Sequence, residues 1–499
     1  MFDESGIERD EHGIARYTGL PDSLVDMLRA SVERFGDREA LVEVDGGRLT
    51  YRELWHRASR VAGGLRAAGI GRGDRVANLL PAGVDWVLTF LGTQLAGAIA
   101  VPVNTRFAPP EIDYVLTDSG AAFTVRPEDP LPDGEPHVVD DLSRDEVAAI
   151  FYTSGTTGLP KGAMTTHENF LSNVENVCRA KGIDAETGWS TRNLVSVPLF
   201  HVTGCNTQLL LQLSFGGATV ILPKFDVRRF LEVIAAERIT MFTTVPAIYA
   251  LALKQPDFAE FDVSSVRHVS YGGAPMAPAL VERIKAAFPQ ARVGNGFGLT
   301  ETSSIATFLP HEHSVEHADS VGFPAPVVDV AVREPDPDTG VGELLIRGPN
   351  VVAGYWNKPE ATAATFVDGW LRTGDLARVS DEGLVHLADR AKDVINRGGE
   401  NVYSVEVENA LATVPGVVEA AVVGVPDEVM GEKVGAVIVA DETFDAAQLP
   451  ARLADRLADF KIPQFVHLSD QPLPRNPGGK LLKRELRGTT GWQGPLWGR

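Results

Sequence analysis

Between about residue 40 and residue 350, short β-rich apolar runs alternate with segments of helical period, and this alternation constrains the fold more than any other feature of the chain. The clearest runs are RVANLLPA (75–82), ATVILP (218–223), TMFTTVP (240–246) and VRHVSYGG (266–273). Between two of them, Val227, Phe230, Leu231 and Ile234 stand at i, i+3, i+4 and i+7, one face of an amphipathic helix. Strands separated by helices predict parallel sheets, whose ligands bind in the crevice beyond the strand carboxyl ends. Chemistry is therefore expected just after strands. SYGGAP (270–275) and GNGFGLTETSS (294–304) place glycine-rich turns there, although each taken singly reads equally well as a structural turn.

From Gly342 the texture changes to short strands and turns that end at ADRAKDVINRGGEN (388–401). A helix candidate (405–412) and two strand candidates (417–425 and 433–439) follow, the pattern of a small α+β domain. The expected fold class is α/β: a large N-terminal domain of parallel-rich α/β sheets plus a small β subdomain, then a smaller C-terminal α+β domain. The boundary falls near Arg390, giving domains 1–390 and 391–499. A chain of 499 residues, 44% hydrophobic and 23% charged, can bury such cores.

The formal charge of −21 argues against a nucleic-acid backbone or an anionic membrane as main partner. A polyphosphate must then meet local positive charge, and Arg475, Lys480, Lys483, Arg484 and Arg487 form one such island. Cys178 and Cys205 lack the spacing of a disulfide framework or a cysteine metal site. The acidic start MFDESGIERDEHG lacks signal architecture, and Leu79–Val103 is interrupted by Asp85, Gln94, glycines and two prolines. A buried helix followed by a strand fits that stretch, no integral membrane segment is expected, and the location expected is cytoplasmic.

YTSGTTGLPKG (152–162) packs three glycines, Thr and Ser hydroxyls and Lys161 into one loop. Small residues let backbone N–H groups approach an anion, and hydroxyls and a lysine add donors. The spacing is not that of the P-loop, because Lys161 follows Gly158 after Leu159 and Pro160. A flexible turn of the same composition is the alternative reading. HSVEH (313–317), with His311 nearby, matches a zinc spacing, yet its flanks carry no helical period to bring both histidines to one face. A polar surface loop is expected there.

With these motifs in order, the sequence resembles the acyl-CoA synthetase branch of the adenylate-forming superfamily, from about Asp37 to Arg487. YTSGTTGLPKG looks like the phosphate loop, FHVTG (200–204) the acyl-pocket segment and GFGLTETS (296–303) the adenine and magnesium segment. GELLIRGPNVVAGYWNKPEAT (342–362), WLRTGD (370–375), DRAKDVINRGGENVYSVEVE (389–408) and PRNPGGK (474–480) complete a collinear set. The resemblance implies an ATP-dependent acid–thiol ligase that converts a carboxylic acid to acyl-CoA through acyl-AMP, releasing AMP and pyrophosphate. ATP, Mg2+ and coenzyme A are the implied cofactors, and a homodimer is compatible with it.

It further implies that Thr153, Ser154, Gly155, Thr156, Thr157, Gly158 and Lys161 grip the β- and γ-phosphates. Glu301 would hold Mg2+ and Thr300 contact the α-phosphate. Gly272, Gly273 and Ala274 would leave room for adenine, with Gly296 and Phe297 beside it. Asp375 and Arg390 would take the ribose, and Lys480 would bridge the carboxylate and the α-phosphate. Lys392 would carry a hinge about which the C-terminal domain turns, bringing Gly398, Gly399 and Glu400 toward coenzyme A. His201 is read either as a gate of the acyl pocket or as a satisfied histidine at a strand end. Electrostatic stabilisation of the departing pyrophosphate is what such groups supply.

Phe297 stands where tyrosine is common in the family, Leu371 where an aromatic is, and Ser404 where proline is usual, which is expected to loosen the turn after GGENVY. The pocket stretches 200–206, 272–275 and 294–297 hold no Arg or Lys for a second carboxylate and no Asp for an amino group. A medium- or long-chain fatty acid is therefore expected, with an aryl acid, a carrier-protein acceptor or another acyl-adenylate chemistry as alternatives. The final GTTGWQGPLWGR is expected to be a mobile tail.

Overall fold

The computed structural model describes residues 2–153, 159–184, 186–273, 276, 278–398, 400–475 and 481–492. The chain divides into two compact units: residues 1–273, 278–330 and 346–371 form the first, and residues 274–277, 331–345 and 372–499 the second.

In the first unit, one sheet takes β1 (Arg75–Asn78), β2 (Ile99–Pro102), β3 (Phe123–Val125), β4 (Val147–Thr153) and β5 (Lys161–Thr166) in the order β3-β1-β2-β4-β5. The first four are parallel, and β5 returns antiparallel with Thr153 opposite Lys161. Residues Ala148 to Tyr152 of β4 are all buried, as a strand covered on both faces requires. The stretch read as a buried helix then strand is helix Val84–Leu95 followed by β2. Its Trp86 stacks on Phe90, which meets Phe170 edge-on, and Phe170 in turn meets Phe151 of β4.

Helix α1 (His167–Lys181) leaves β5 through a capping box in which Thr166 and Asn169 satisfy each other's backbone N–H groups, and it stops at Gly182 in the left-handed region. It leads to a second, nine-stranded sheet. The core of that sheet is β6 (Arg192–Val195), β7 (Ala218–Ile221), β8 (Met241–Thr244), β9 (His268–Gly272) and β10 (Arg292–Phe297), all parallel, in the order β10-β9-β8-β6-β7. All four apolar runs named from the sequence are strands, and Val227–Ala236 is the amphipathic helix between two of them. Parallel order aligns the carboxyl ends of β9 and β10, so the two glycine-rich turns emerge side by side with Gly272 opposite Gly296.

β11 (Trp370–Val379), which belongs to the second unit from Arg372 onward, forms a hairpin with β12 (Val385–Arg390). A five-stranded sheet follows, of β13 (Ile395–Arg397), β14 (Glu400–Val402), β15 (Val417–Asp427), β16 (Gly431–Ala440) and β17 (Phe465–Leu468). Helix α2 (Ser404–Leu411) supplies Val407 and Leu411 to a core shared with Val422, Val434, Ala436 and Ile438. A smaller C-terminal α+β domain is present, as expected. The terminal tail departs from expectation: residues 488 and 489 finish helix α3 (Lys483–Thr489), and Trp492 packs on Ala421, Val423 and Val437 and against the ring of Phe465. An indole removed from water by that cluster holds the chain down as far as residue 492. Residues 493–499 lie outside the described residues.

Candidate active site

The phosphate-loop motif spans the β4–β5 turn. Thr153 closes β4 and Lys161 opens β5, whereas Ser154, Gly155, Thr156, Thr157 and Gly158 lie outside the described residues. The Lys161 ammonium stands 4.8 Å from the centroid of the Tyr355 ring. The Tyr355 hydroxyl donates to Glu301 Oε1 at 2.6 Å, and the Val352 N–H donates to the Glu301 carbonyl at 2.9 Å. Burial and the Glu301 carboxylate push the Tyr355 phenol far above its ordinary range, so it stays a donor. Three motifs distant in sequence, at 161, 301 and 355, thus converge within the first unit. Tyr355 was not singled out from the sequence, although it lies inside the quoted segment GYWNKPEAT.

Glu301 sits in a 3-10 turn, Thr300–Thr302, just beyond β10. The chain then passes through Ser303 at φ 54° and Ser304 at φ 122°, left-handed positions rarely taken by residues other than glycine. Gly298 permits this knot, since a Cβ there would fall on the Ser304 carbonyl. Buried partners hold it: Asn350 Nδ2 donates to the carbonyls of Thr302 and Ile305, and Asn206 Nδ2 donates to that of Ser303. At the neighbouring strand end, a Cβ on Gly272 would lie 2.3 Å from the Gly296 carbonyl. Gly273 has φ 76°, Phe297 ends β10, and Ala274 lies outside the described residues.

His201 is half-buried. Its Nε2 has no partner among the described residues, and burial, helped by Arg106, lowers its pKa to about 4. The imidazole is therefore neutral at pH 7. It borders a small cavity walled by Val103, Phe107, Tyr152 and Phe200. Tyr152, the residue before Thr153, donates to Asp118, which also holds Lys358 of GYWNKPEAT. One carboxylate that the sequence reading overlooked therefore anchors both the strand entering the loop and the motif carrying Tyr355.

In the second unit, Asp375 and Arg390 stand opposite each other across β11 and β12, Arg390 Nε lying 3.1 Å from Asp375 Oδ1. Lys392 follows two residues later, its pKa lowered by burial and by Arg390 against the pull of Asp393 and Asp375. Gly398 has φ 64° and donates its N–H to the Met430 carbonyl, and Glu400 opens β14 at the surface. Gly399 and Lys480 lie outside the described residues.

Ser404 does not loosen its turn. Its N–H and hydroxyl both reach Asp389 Oδ2, at 2.5 and 2.6 Å, and Lys483 donates to its Oγ while pairing with Glu408 at 2.7 Å. A proline there has no N–H to give; the serine ties α2 to the start of DRAKD. The HSVEH stretch begins at the last residue of a short 3-10 turn, His311–His313, where His311 Nδ1 accepts from the Val293 N–H and His313 packs edge-on against Phe323.

The donor set at 161, 301 and 355 suits a magnesium–polyphosphate. A lysine and a carboxylate share one tyrosine, which occupies a single oxygen of Glu301 and leaves the carboxylate able to face a hard cation.

Comparison with known proteins agrees with that chemistry. The sequence profile of the AMP-binding enzymes matches residues 28–356, and that of the AMP-binding enzyme C-terminal domain matches residues 406–480. The chain is 39% identical over 483 residues to a feruloyl-CoA synthase of Amycolatopsis sp, covering 91% of this chain and 96% of that one. It is 38% identical over 475 residues to the long-chain-fatty-acid–CoA ligase FadD13 of Mycobacterium tuberculosis, covering 88% and 93%. Among solved structures it is similar to the o-succinylbenzoate coenzyme A synthetase MenE of Bacillus subtilis in complex with ATP and magnesium ion, with TM-score 0.82, 30% identity and coverage of 92% and 99%. Both domains, the order of the motifs and these relatives agree: the chain belongs to the AMP-binding enzymes, as an ATP-dependent acyl-CoA synthetase.

Proposed function

We propose that this site activates a carboxylic acid as its adenylate and passes the acyl group to coenzyme A, with the residues in the following roles. The convergence of Lys161, Glu301 and Tyr355 carries the reading, because it puts one cation and one oriented carboxylate where a polyphosphate and its metal must be held together. Lys161, with the loop residues Thr153 to Gly158, grips the outer phosphates. Glu301 would hold magnesium, which when bound neutralises phosphate charge as pyrophosphate departs. Thr300 contacts the α-phosphate. Gly272, Gly273, Ala274, Gly296 and Phe297 form the adenine slot, and Asp375 with Arg390 takes the ribose hydroxyls. Lys480 draws the carboxylate onto the α-phosphate. Lys392 carries the hinge between domains 1–390 and 391–499, and Gly398 to Glu400 serve the thiol step. His201, neutral at pH 7, is a shape element of the acyl pocket rather than a charged one.

The acid is a medium- or long-chain fatty acid in this reading, as the name of the FadD13 relative supports. An aryl acid is the second reading, favoured by the similarity to a feruloyl-CoA synthase. A carrier protein as acceptor is the remaining alternative, since a fatty acid–[acyl-carrier-protein] ligase of Streptomyces coeruleorubidus is 34% identical. No helix among the described residues is long and apolar enough to cross a membrane. A cytoplasmic location, a homodimer and the absence of a nucleic-acid partner complete the proposal. The test is AMP and pyrophosphate release across acids from butyrate to palmitate plus benzoate and coumarate, with and without coenzyme A. Turnover that depends on coenzyme A within one class of acid is expected. Pyrophosphate release without thioester would transfer the protein to carrier loading or other adenylate chemistry.

A further inference from the structure

Behind the acyl segment lies a buried amine. Lys181 occupies the last turn of α1 and is 6% exposed. Its Nζ donates to Thr243 Oγ1 at 3.1 Å, and among the described residues no carboxylate pairs with it. An ammonium has three protons to donate, and a buried charge without a counter-ion is costly. Burial lowers the lysine pKa to about 8, with Cys178 opposing, so most of the population carries charge at pH 7. Nearby His268 is lowered to about 4 by burial, then by Lys181 and Arg292, and as a neutral ring it offers no counter-charge.

The position of this amine connects it to the site. Thr243, Ser270 and Gly294 form one row across β8, β9 and β10, and Gly272 pairs with Gly296 two residues further along. Side chains repeat every two residues in a strand, so Thr243 lies on the same face as these glycines, about 7 Å behind the strand ends. Helical Cα–Cβ bonds tilt toward the helix N-terminus. In that direction Asn173 Oδ1 accepts the Ile305 N–H at 3.0 Å, beside the GFGLTETS segment. A π-helical turn, Cys205–Leu209, continues FHVTG. From it Asn206 Nδ2 reaches the Ser303 carbonyl at 2.9 Å, and Gln208 Nε2 reaches the Thr243 carbonyl at 3.2 Å. The acyl segment and the TETS turn are thereby joined to the strand that holds Lys181. Asn206 Oδ1, Asn173 Nδ2 and Ser303 Oγ along this seam are buried without a partner. Each such atom has given up its hydration without a replacement, and a hydrocarbon tail satisfies none of them.

We propose that Lys181, with Thr243, is a specificity-determining floor of the acyl pocket, and that it receives a carboxylic acid bearing a second oxygen acceptor at the end remote from the activated carboxyl: a carboxylate, a ketone or a phenol. The inference rests on the acyl-activation reading above and refines it. It also explains why the pocket stretches themselves lack a cation, since α1 supplies one from behind, too deep for an acid of malonate length.

The experiment compares AMP release by wild type and K181M on matched acids: decanoate, 9-oxodecanoate and decanedioate, then cinnamate and 4-coumarate. Wild type is expected to favour at least one oxygenated acid by about tenfold or more in kcat/KM, as a site built to pair a buried polar group does. K181M should abolish that preference, leave the plain acids unchanged or improved, and melt no lower than wild type, because it removes a buried charge. T243V should reduce the preference with a smaller effect. The acid that loses most in K181M identifies the oxygen group. A lower melting temperature for K181M, equal loss on both members of a pair, or a wild type indifferent to the distal oxygen overturns the floor proposal while acyl activation stands. Absence of AMP release with every acid overturns both.

Discussion

Replacing Tyr355 by Phe removes one oxygen atom and one hydrogen bond. The ring remains, so its contact with Lys161 at 4.8 Å persists, as does the backbone bridge between Tyr355 and Ala163. What disappears is the 2.6 Å donation to Glu301 Oε1. Hydrogen bonds to charged groups contribute about 1.5–3 kcal/mol, so the carboxylate orientation loses about 2 kcal/mol, or roughly thirtyfold in an equilibrium. Tyr355→Phe should therefore raise the magnesium concentration that half-saturates ATP–pyrophosphate exchange and lower adenylation kcat/KM by about ten- to thirtyfold at limiting magnesium. Thioester formation from supplied acyl-AMP needs no polyphosphate and should be unchanged, with a melting temperature close to wild type. An unaltered magnesium dependence, or equal loss in both half-reactions, would refute the reasoning and reduce Tyr355 to a packing residue.

Lys480→Ala should cripple adenylation while leaving transfer from supplied acyl-AMP to coenzyme A largely intact, and equal loss in separate half-reaction assays would remove Lys480 from the first step. Lys483→Met strands Glu408, whose pKa burial already raises against the pull of Lys483. Breaking such a pair costs about 3–5 kcal/mol. Because the folded pKa of Glu408 lies above the unfolded value, the variant should regain stability as pH falls toward the carboxylate range, measurable by urea titration at several pH values. His167, His201 and His268 are each held near 4 by burial, so unfolding lets them take protons between about pH 6.5 and 4. Stability should fall with pH across that window, by about 2 kcal/mol per histidine at pH 5, and a stability curve flat from pH 7 to 5 would contradict their burial as neutral rings.

Period and punctuation made the scaffold legible. Val227, Phe230, Leu231 and Ile234 could cover a sheet only as a helix, and VRHVSYGG and TMFTTVP could be buried on both faces only as interior parallel strands. The glycine turns after β9 and β10 were readable for the same reason, since they follow those strands. The residues missed act through space. Tyr355 meets Glu301 across 54 positions of sequence, and Asp118 meets Lys358 across 240, separations over which no local pattern extends. Lys181 ends an ordinary helix, and its sequence neighbours Ala180 and Gly182 give no sign that Thr243 is its partner. The flanks of Trp492, glycine and glutamine, have the composition of a tail, and only the apolar patch on β15 and β16 captures it. As a turn former Ser404 is weaker than proline, whereas its effect comes from hydrogen bonds to Asp389 and Lys483.

The measurement that tests carboxylate activation most directly follows oxygen atoms. An accepted acid, labelled with oxygen-18 in both carboxyl positions, is turned over with ATP, magnesium and coenzyme A, and the AMP is weighed by mass spectrometry. Attack of the carboxylate on the α-phosphate leaves one labelled oxygen bridging acyl group and phosphorus. Displacement by the thiol leaves that oxygen on phosphorus, so AMP should carry one heavy oxygen and pyrophosphate none. Unlabelled AMP, or ADP with the label in inorganic phosphate, would contradict the account.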